Sequence, residues 1–312
     1  MLVVANVYPL PHQPTLGMFV AEQVESLRAR DDVARVDVLV VDGISSRANY
    51  ARGALGLRRL ERRLRPDIVH AHYGLTGAVA LAGTRGRPLI VTYHGSDVSF
   101  SSWQRAISRV VARRATRNLC VSRSQLSLLG APAEHVPCGI DLARISPRPR
   151  AEARAAWGVP EGALALLFPG QRWRPVKHYP GFVAVRRALE RRGVAVAELR
   201  LEDVPRERVP ELFAAADVLV MTSLSEGSPV SIMEALACGL PVVAPPVGEV
   251  PAMLEGIPSA RVLPFSPERF ADAALELRRP GTRAPAAEAT QYDLRQVAAR
   301  LAGIYREVLR RS

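Results

Sequence analysis

The sequence predicts an α/β protein with two doubly wound parallel-sheet domains, and three observations support this fold class. Short apolar runs rich in valine, isoleucine and leucine alternate with helical patterns along the chain, as in parallel sheets that helices cover on both faces. The chain has 312 residues, enough for two domains. A stretch rich in proline and arginine interrupts the alternation at residues 146–150. In such sheets ligands bind beyond the carboxyl ends of the strands, so we expect functional residues in the turns that follow strands.

The first predicted domain spans residues 1–145, and its apolar runs alternate with amphipathic segments. Strands are predicted at residues 2–8, 35–42, 67–73, 88–94, 118–122 and 135–138. Helices are predicted at residues 17–30, 52–65, 75–83, 103–116 and 122–129.

A linker is predicted at residues 146–160 and the second domain at residues 161–280. Its strands are predicted at residues 163–169, 196–201, 217–222, 241–244 and 261–264. Its helices are predicted at residues 178–191, 207–216, 229–238, 249–254 and 267–277. A stretch of low predicted order covers residues 279–289, and a helix in residues 290–312 is expected to pack back on the first domain.

Composition excludes several classes of protein. The apolar runs fall short of the ~18–20 residues of a membrane span, and the N-terminus lacks the basic region and cleavage site of a signal peptide. The cysteines, Cys120, Cys138 and Cys238, lie far apart without CxxC spacing. This spacing excludes a recognisable zinc ribbon or disulfide framework and fits a reducing compartment. We therefore expect a cytoplasmic protein.

Positive charge is concentrated in the first half of the chain. The formal net charge is +12, and residues 1–150 carry 21 basic against 11 acidic residues. Arg105, Arg109 and Arg113 are spaced four apart, so on a helix they form one basic stripe. Such a stripe can bind an anionic membrane surface or nucleic acid, so a membrane location is a hypothesis. A plain solvated face explains the stripe equally well.

Lysine is almost absent from the chain. Lys177 is the only lysine, whereas 41 residues are arginine. A lysine retained in such a composition indicates a need for a compact ammonium group rather than a planar guanidinium. Chance survival at a surface site is the alternative explanation.

The strongest candidate site follows the predicted strand 217–222. Glu226, Gly227 and Ser228 form a turn, and Pro229 stands where the first turn of a helix tolerates proline. The free backbone N–H groups of this turn predict a site for an anion or a hydroxyl group. Glu234 follows Glu226 by eight positions, so the two carboxylates can grip two parts of one elongated ligand. The alternative is that Glu226 is an ordinary acidic residue at the start of a helix and Glu234 a solvated helix residue.

A second turn, PGQRWRPVK, follows the predicted strand 163–169. Gly170 opens it, and Arg172 and Lys177 follow five positions apart, a pattern that suits a diphosphate. Neither a P-loop nor a GxGxxG dinucleotide motif is present.

The first half offers histidines at strand ends. His94 follows a strand and precedes a glycine, so we expect it at the ligand-binding edge of the sheet. The alternative is a capping or core histidine. His70 and His72 are two positions apart, so their side chains lie on the same side of a strand. Metal binding would need a third ligand, and none is identified, so structural roles are favoured for both. Gly17 begins a helix after the first strand.

An ordered set of motifs resembles glycosyltransferase family 4, the group 1 glycosyl transferases. The set is YPLPHQPTLGMF, DIVHAHYG, YHGSD, PCGID, PGQRWRPVK, SEGSPVSIMEALACGLPVVA and VGEVP. Glu226 to Glu234 is similar to the E-x7-E element of retaining GT-B enzymes. The resemblance spans nearly the whole chain. It departs from the family at Cys138, where asparagine is common, and in a first loop whose only glycine is Gly17.

The resemblance implies a GT-B fold with two Rossmann-like domains facing a cleft, and a nucleotide-diphosphate sugar bound by the second domain. Arg172 and Lys177 would neutralise the diphosphate, Glu234 would bind the ribose hydroxyls, and Glu226 would hold the hexose. The backbone amides that follow Glu226 would also hold the hexose of the donor. The residues expected to bind the donor are Gly17, Gly170, Gly227, Ser228, Pro229, Val230 and Glu234.

The resemblance also implies a reaction. His94 would place the transferred sugar, the Arg105, Arg109 and Arg113 face would meet a glycan or lipid-linked acceptor, and no metal or cofactor would be required. A retaining hexosyltransferase of cell-envelope or exopolysaccharide synthesis is the leading interpretation. An anionic-surface binding protein that uses the basic half is the alternative, and a GT-B phosphorylase or sugar-nucleotide epimerase shares the expected architecture.

Overall fold

The structure is a computed structural model and describes residues 1–11, 13–43, 45–99, 101–279, 281–285 and 287–311. His12 of the predicted first turn, and residues 280, 286 and 312 of the predicted C-terminal segments, lie outside the described residues. The chain divides into two units. The first contains Met1–Gly139 together with the segment that begins at Leu294, and the second is Ile140–Asp293.

The first unit is built on a six-stranded parallel sheet with the order β2-β1-β3-β4-β5-β6. Its strands are β1 (Leu2–Ala5), β2 (Asp37–Val40), β3 (Val69–His72), β4 (Leu89–Tyr93), β5 (Arg117–Cys120) and β6 (Glu134–His135). Its helices are α1 (Met18–Arg28), α2 (Ala48–Leu64), α3 (Gly74–Gly83), α4 (Ser96–Ser99), α5 (Ser102–Ala112), α6 (Leu126–Leu129) and α13 (Leu294–Arg311).

Both faces of this sheet are covered, which explains why β1 is apolar throughout. Along β1, Leu2 and Val4 pack in one apolar cluster with α3 and α5. Val3 and Ala5 point to the opposite face and pack in a second cluster with α1 and α13. Side chains alternate between the two faces of a strand, so burial on both faces favours apolar residues at successive positions.

The second unit contains a five-stranded parallel sheet with the order β11-β10-β9-β7-β8. Its strands are β7 (Leu164–Phe168), β8 (Val196–Arg200), β9 (Val218–Val220), β10 (Val242–Ala244) and β11 (Ala260–Val262). Its helices are α7 (Arg150–Ala156), α8 (Tyr179–Glu190), α9 (Val209–Ala215), α10 (Val230–Cys238), α11 (Val250–Leu254) and α12 (Pro267–Leu277). Both sheets therefore have the predicted doubly wound α/β architecture.

The predicted strands are all present, and their ends differ from the prediction by three residues or fewer. The C-terminal helix α13 lies in the first unit, where its apolar face joins the cluster formed by α1 and the sheet. Among the described residues, no helix combines the length and the apolarity needed to cross a membrane.

The prediction of a linker at residues 146–160 is wrong, because this segment belongs to the second unit. Seven of its residues form α7, which packs on α9. Arg150 and Arg154 of α7 form ion pairs with the buried side chain of Asp217, with Arg154 Nη1 lying 3.1 Å from the carboxylate. The second unit therefore begins at Ile140 rather than at residue 161, and it extends to Asp293.

Candidate active site

The turn between β7 and α8 fixes the position of Lys177. A short 3-10 helix, Pro175–Lys177, follows the loop that Gly170 opens. A Cβ atom on Gly170 would lie 3.0 Å from Cγ of Lys177, so the lysine stem packs closely against a residue that has no side chain. The hydroxyl of Thr222 donates to the carbonyl oxygens of Lys177 and His178, at 3.2 and 2.9 Å, and holds the end of the turn.

Lys177 and Glu226 form an ion pair at the carboxyl ends of two neighbouring strands, β7 and β9. The ammonium nitrogen of Lys177 lies 2.7 Å from Oε1 of Glu226, and the two side chains are only 15% and 11% exposed. A charge-assisted hydrogen bond in this partly dry setting holds both groups in place. The two residues that the sequence singled out in separate turns thus meet in the structure.

The turn that carries Glu226 is held by backbone contacts with the loop that follows β10. The N–H group of Glu249 donates to the carbonyl oxygen of Gly227 at 3.0 Å. Gly248 has a φ of +55°, and a Cβ atom there would lie 2.1 Å from the carbonyl oxygen of Glu226. A side chain at position 248 would therefore displace the turn. Gly248 and Glu249 belong to the VGEVP motif, but their contact with the turn of Glu226 was not predicted from the sequence.

Glu234 is buried inside the second unit. It is the fifth residue of α10, its side chain is 3% exposed, and its carboxylate is paired with Arg206, which is 12% exposed. Arg206 begins a 3-10 helix, Arg206–Arg208, that precedes α9. The interpretation of Glu234 as an ordinary solvated helix residue is wrong. Arg206 was not predicted from the sequence, because no spacing rule relates it to Glu234.

Arg172 lies against a different carboxylate. Its Nε is 2.8 Å from Oε2 of Glu202, the side chain is 47% exposed, and the hydrogen bond with Glu202 raises the pKa of Arg172. The structure therefore pairs Lys177 with Glu226 and Arg172 with Glu202.

The remaining predicted donor-binding residues of the second unit lie at the beginning of α10. Pro229 is the N-cap residue and Val230 is the first residue of the helix, one position later than predicted. Ser228 is buried, and its hydroxyl lies 3.9 Å from the sulfur of Met253 in α11.

Three histidines cluster at the carboxyl ends of β3 and β4 in the first unit. The rings of His70 and His72 stack with centroids 4.6 Å apart, since residues two apart in a strand share a face. Nε2 of His94, which follows β4, lies 3.0 Å from Nδ1 of His72. Phe19 and Tyr73 also contact the ring of His94, with centroids 5.0 and 4.6 Å away.

The ring nitrogens of these histidines differ in whether they have a hydrogen-bond partner. Both ring nitrogens of His70 are bonded, Nδ1 to the hydroxyl of Tyr305 in α13 and Nε2 to that of Thr92, each at 2.8 Å. His70 is thus a structural residue. His72 is also buried, but its Nε2 has no hydrogen-bond partner among the described residues.

The histidines of this cluster are neutral. Burial lowers the pKa of His72 to about 3. Burial, together with the neighbouring His72, holds the pKa values of His70 and His94 well below the ordinary value. A neutral imidazole carries one N–H donor and one acceptor nitrogen, so His94 serves as a hydrogen-bonding group and not as a cation.

Asp97 holds the turn that carries His94. One carboxylate oxygen accepts from the N–H groups of His94 and Gly95, at 3.1 and 3.0 Å, and the other accepts from that of Gly74 at 3.0 Å. Burial raises the pKa of Asp97 to about 6, while these backbone hydrogen bonds act in the opposite direction. Asp97 belongs to the YHGSD motif, but no role for it was predicted from the sequence.

Gly17 is explained by the local structure of the first unit. It is the N-cap residue of α1, has a φ of 72°, and is buried. A Cβ atom at this position would lie 2.4 Å from the carbonyl carbon of Val7. Glycine is therefore needed for α1 to begin close to the loop after β1.

Two arginines of the predicted basic stripe form hydrogen bonds with backbone carbonyl oxygens of the first unit. Arg105 donates to the carbonyl oxygens of Val98 and Ser99, and Arg109 donates to that of Leu128 at 3.0 Å. Arg113 is exposed and follows the last residue of α5, which ends at Ala112 rather than at the predicted residue 116. Two of the three guanidinium groups thus fasten neighbouring segments of the first unit.

Two family models match the chain. The one described as Glycosyltransferase Family 4 matches residues 12–144, and the one described as Glycosyl transferases group 1 matches residues 178–279. A D-inositol 3-phosphate glycosyltransferase of Saccharomonospora viridis is 31% identical over 78% of this chain and 70% of its own length. The putative teichuronic acid biosynthesis glycosyltransferase TuaC of Bacillus subtilis is 27% identical over 68% of this chain and 61% of its own length.

Solved structures share the fold. Sucrose-phosphate synthase from Thermosynechococcus elongatus has a TM-score of 0.81 at 16% identity, covering 100% of this chain and 99% of its own. Anabaena HepE in complex with UDP and glucose has a TM-score of 0.73 at 16% identity, covering 97% of this chain and 98% of its own.

Proposed function

Since the chain belongs to glycosyltransferase family 4, the group 1 glycosyl transferases with the GT-B fold, we propose that it transfers a hexosyl unit from a nucleotide-diphosphate sugar with retention of configuration. The observation that carries this proposal is the ion pair of Lys177 and Glu226 at the carboxyl ends of β7 and β9. This edge is where ligands bind in doubly wound sheets.

Departure of the sugar leaves growing negative charge on the diphosphate, and that charge must be stabilised. The Lys177 ammonium is the proposed partner of the diphosphate, because it is already oriented in a partly buried turn and needs little reorganisation. Arg172 is proposed to assist from the neighbouring loop after it exchanges Glu202 for the ligand. The N-terminus of α10 adds the positive end of a helix dipole. The proposed reaction therefore needs no metal ion.

The acidic residues are proposed to hold the uncharged parts of the donor. When Lys177 turns to the diphosphate, Glu226 is free to accept hydrogen bonds from hexose hydroxyls, together with the amides of residues 227–230. Arg206 holds Glu234 in one orientation, and Glu234 is proposed to accept from the ribose hydroxyls. His94, as a neutral ring, is proposed to place the transferred sugar.

For the acceptor, we propose an anionic glycan or a lipid-linked sugar of cell-envelope or exopolysaccharide synthesis. The names of two relatives mention an inositol phosphate and teichuronic acid, respectively. The excess of basic residues in residues 1–150 would attract such a negatively charged acceptor. A cytoplasmic enzyme that binds the inner face of the membrane through its basic residues is part of this proposal.

The test is turnover of a panel of nucleotide-diphosphate sugars, measured as release of the nucleotide diphosphate with and without acceptors. We expect transfer by the wild type, and Lys177→Ala to lower kcat by about 10²–10³-fold. Arg174→Ala is the matched control, because Arg174 is an exposed cation in the same turn, and it should leave kcat unchanged.

Near-normal turnover of Lys177→Ala at saturating donor would contradict the proposed role of Lys177. Thermal stabilisation by polyanions, without stabilisation by UDP or GDP, would instead favour an anionic-surface binding protein. Conversion of the nucleotide sugar to an epimer would favour an epimerase, and phosphate-dependent release of a sugar 1-phosphate from a glycan would favour a phosphorylase. Turnover should be unchanged by EDTA, and loss of turnover would refute metal independence.

A further inference from the structure

We infer that His72 is a positioning residue that determines which ring nitrogen of His94 carries the hydrogen, so that His94 presents an Nδ1–H group to its ligand. The inference deepens the proposed function, since it rests on His94 as the residue that places the sugar. It follows from the hydrogen-bond inventory of the histidine cluster.

Nδ1 of His72 and Nε2 of His94 are 3.0 Å apart, so one of them donates to the other. If His94 donates, His72 accepts at Nδ1 and carries its own hydrogen on Nε2. That N–H group would be buried with no acceptor, because Nε2 of His72 has no partner among the described residues. Orphaned N–H groups are rarer in protein interiors than unsatisfied acceptors.

The opposite arrangement leaves only a lone pair unsatisfied. His72 then donates from Nδ1, and His94 accepts at Nε2. Neutral His94 must carry its one hydrogen on Nδ1. The other contacts of the His94 ring, with Phe19 and Tyr73, fix its plane and offer no competing partner for Nε2 in the described part of the chain.

Nδ1 of His94 is left with a weak partner. Sγ of Cys138 lies 4.0 Å away, and burial raises the pKa of Cys138 to about 12, so the sulfur is a neutral thiol. A thiol sulfur is a poor acceptor. The N–H group of His94 therefore remains available for a stronger acceptor such as a sugar hydroxyl.

The direct test is ¹⁵N NMR of the histidine ring nitrogens in the ligand-free protein. We expect His94 to carry hydrogen on Nδ1 in the wild type. His72→Phe keeps a stacked ring but removes the donor, so Nε2 of His94 no longer accepts a hydrogen bond and its ¹⁵N signal should shift. His72→Asn restores an N–H group near the original Nδ1 position and should restore the wild-type signature.

His70→Phe is the matched control, because it makes the same change in the adjacent ring, which stacks on His72. It should lower stability without changing the NMR signature of His94. In the transfer assay, we expect His72→Phe to lower kcat by about tenfold with little change in KM, and His72→Asn to recover most of it.

Hydrogen on Nε2 of His94 in the wild type would overturn the inference, whether or not any variant folds. An unchanged His94 signature in His72→Phe, or an equal loss of kcat in His70→Phe, would overturn it as well. The NMR result needs no substrate. If it is as expected while no nucleotide sugar is turned over, the proposed function fails and the positioning of His94 by His72 stands.

Discussion

The two units place different kinds of group at the carboxyl ends of their parallel strands. In the second unit these are full charges in ion pairs, Lys177 with Glu226 and Arg206 with Glu234. In the first unit the corresponding edge carries neutral histidine rings whose pKa values burial has lowered. An ion pair can exchange partners with a charged ligand, whereas a neutral ring can only donate or accept hydrogen bonds. Charge in the second unit and hydrogen-bond direction in the first should therefore be separable by mutation and by pH.

The largest effect is expected from Arg206→Ala, which removes the cation that is paired with the buried carboxylate of Glu234. Removing one partner of a buried pair typically costs about 3–5 kcal/mol, so the free energy of unfolding should fall by that order. Urea denaturation measures it. Arg208→Ala is the control, because Arg208 belongs to the same 3-10 helix but forms an exposed pair with Glu211. Adding Glu234→Gln to Arg206→Ala should recover part of the loss, and equal losses in the two arginine variants would refute the assignment.

Lys177→Arg keeps the charge but changes its shape. The lysine stem packs against Gly170, and the longer planar guanidinium does not fit the contact with Glu226 in the same way. We expect kcat to fall by about tenfold, with a smaller change for Arg172→Lys on the exposed pair with Glu202. Steady-state kinetics with the preferred donor measures kcat for both variants. Full activity of Lys177→Arg would mean that the only lysine of the chain is not required for its shape.

The neutral site should respond to pH through Asp97 and not through its histidines. Burial raises the pKa of Asp97 to about 6, whereas that of His72 is about 3. As pH falls through about 6, protonation removes an acceptor from the turn of His94, so kcat/KM should decrease. The amide NMR signal of Gly95 should titrate with the same midpoint, and an activity profile flat from pH 5 to 7 would contradict this expectation.

The stability contribution of Asp97 has the opposite dependence on pH. Its pKa in the folded state lies above the ~3.9 of an unfolded chain, so the folded state binds the proton more tightly. The contribution is fully present below pH ~3.9 and is lost as pH rises through about 6. Stability and activity should therefore change in opposite directions across this interval.

The smallest effect is expected from the basic stripe. Arg105→Ala removes two hydrogen bonds to the carbonyl oxygens of Val98 and Ser99 and should cost about 1 kcal/mol of stability. Arg113→Ala removes an exposed side chain and should cost much less. Flotation with anionic vesicles at low salt tests the membrane hypothesis. Equal binding by Arg113→Ala and the wild type would show that Arg113 does not contribute to it.

The sheets were predictable because burial on both faces imposes a local pattern. Every position of β1 and β7 is apolar, and each is bounded by turn residues that are visible in the sequence. The stacking of His70 on His72 also follows from strand periodicity. Lys177 and Glu226 could be selected as candidates because each follows a strand, although their ion pair depends on which strands are neighbours.

The sequence did not predict the roles of residues whose partners lie far away along the chain. Helix α7 was taken for a linker because Pro149 and Arg150 dominate its beginning, and the partner of its arginines, Asp217, lies more than 60 positions later. Arg206 was missed for the same reason, since nothing local connects it with Glu234. The hydrogen bond between Tyr305 in α13 and His70 spans 235 positions and has no local signature.

Helix α13 gives the protein a particular order of assembly during translation. The ribosome releases residues 294–311 only after the whole of the second unit, yet this helix covers one face of the first sheet and bonds to His70. Until synthesis has passed Asp293, only α1 can pack on the face of the sheet that carries Val3 and Ala5, so the N-terminal unit is completed after the unit that follows it in the sequence.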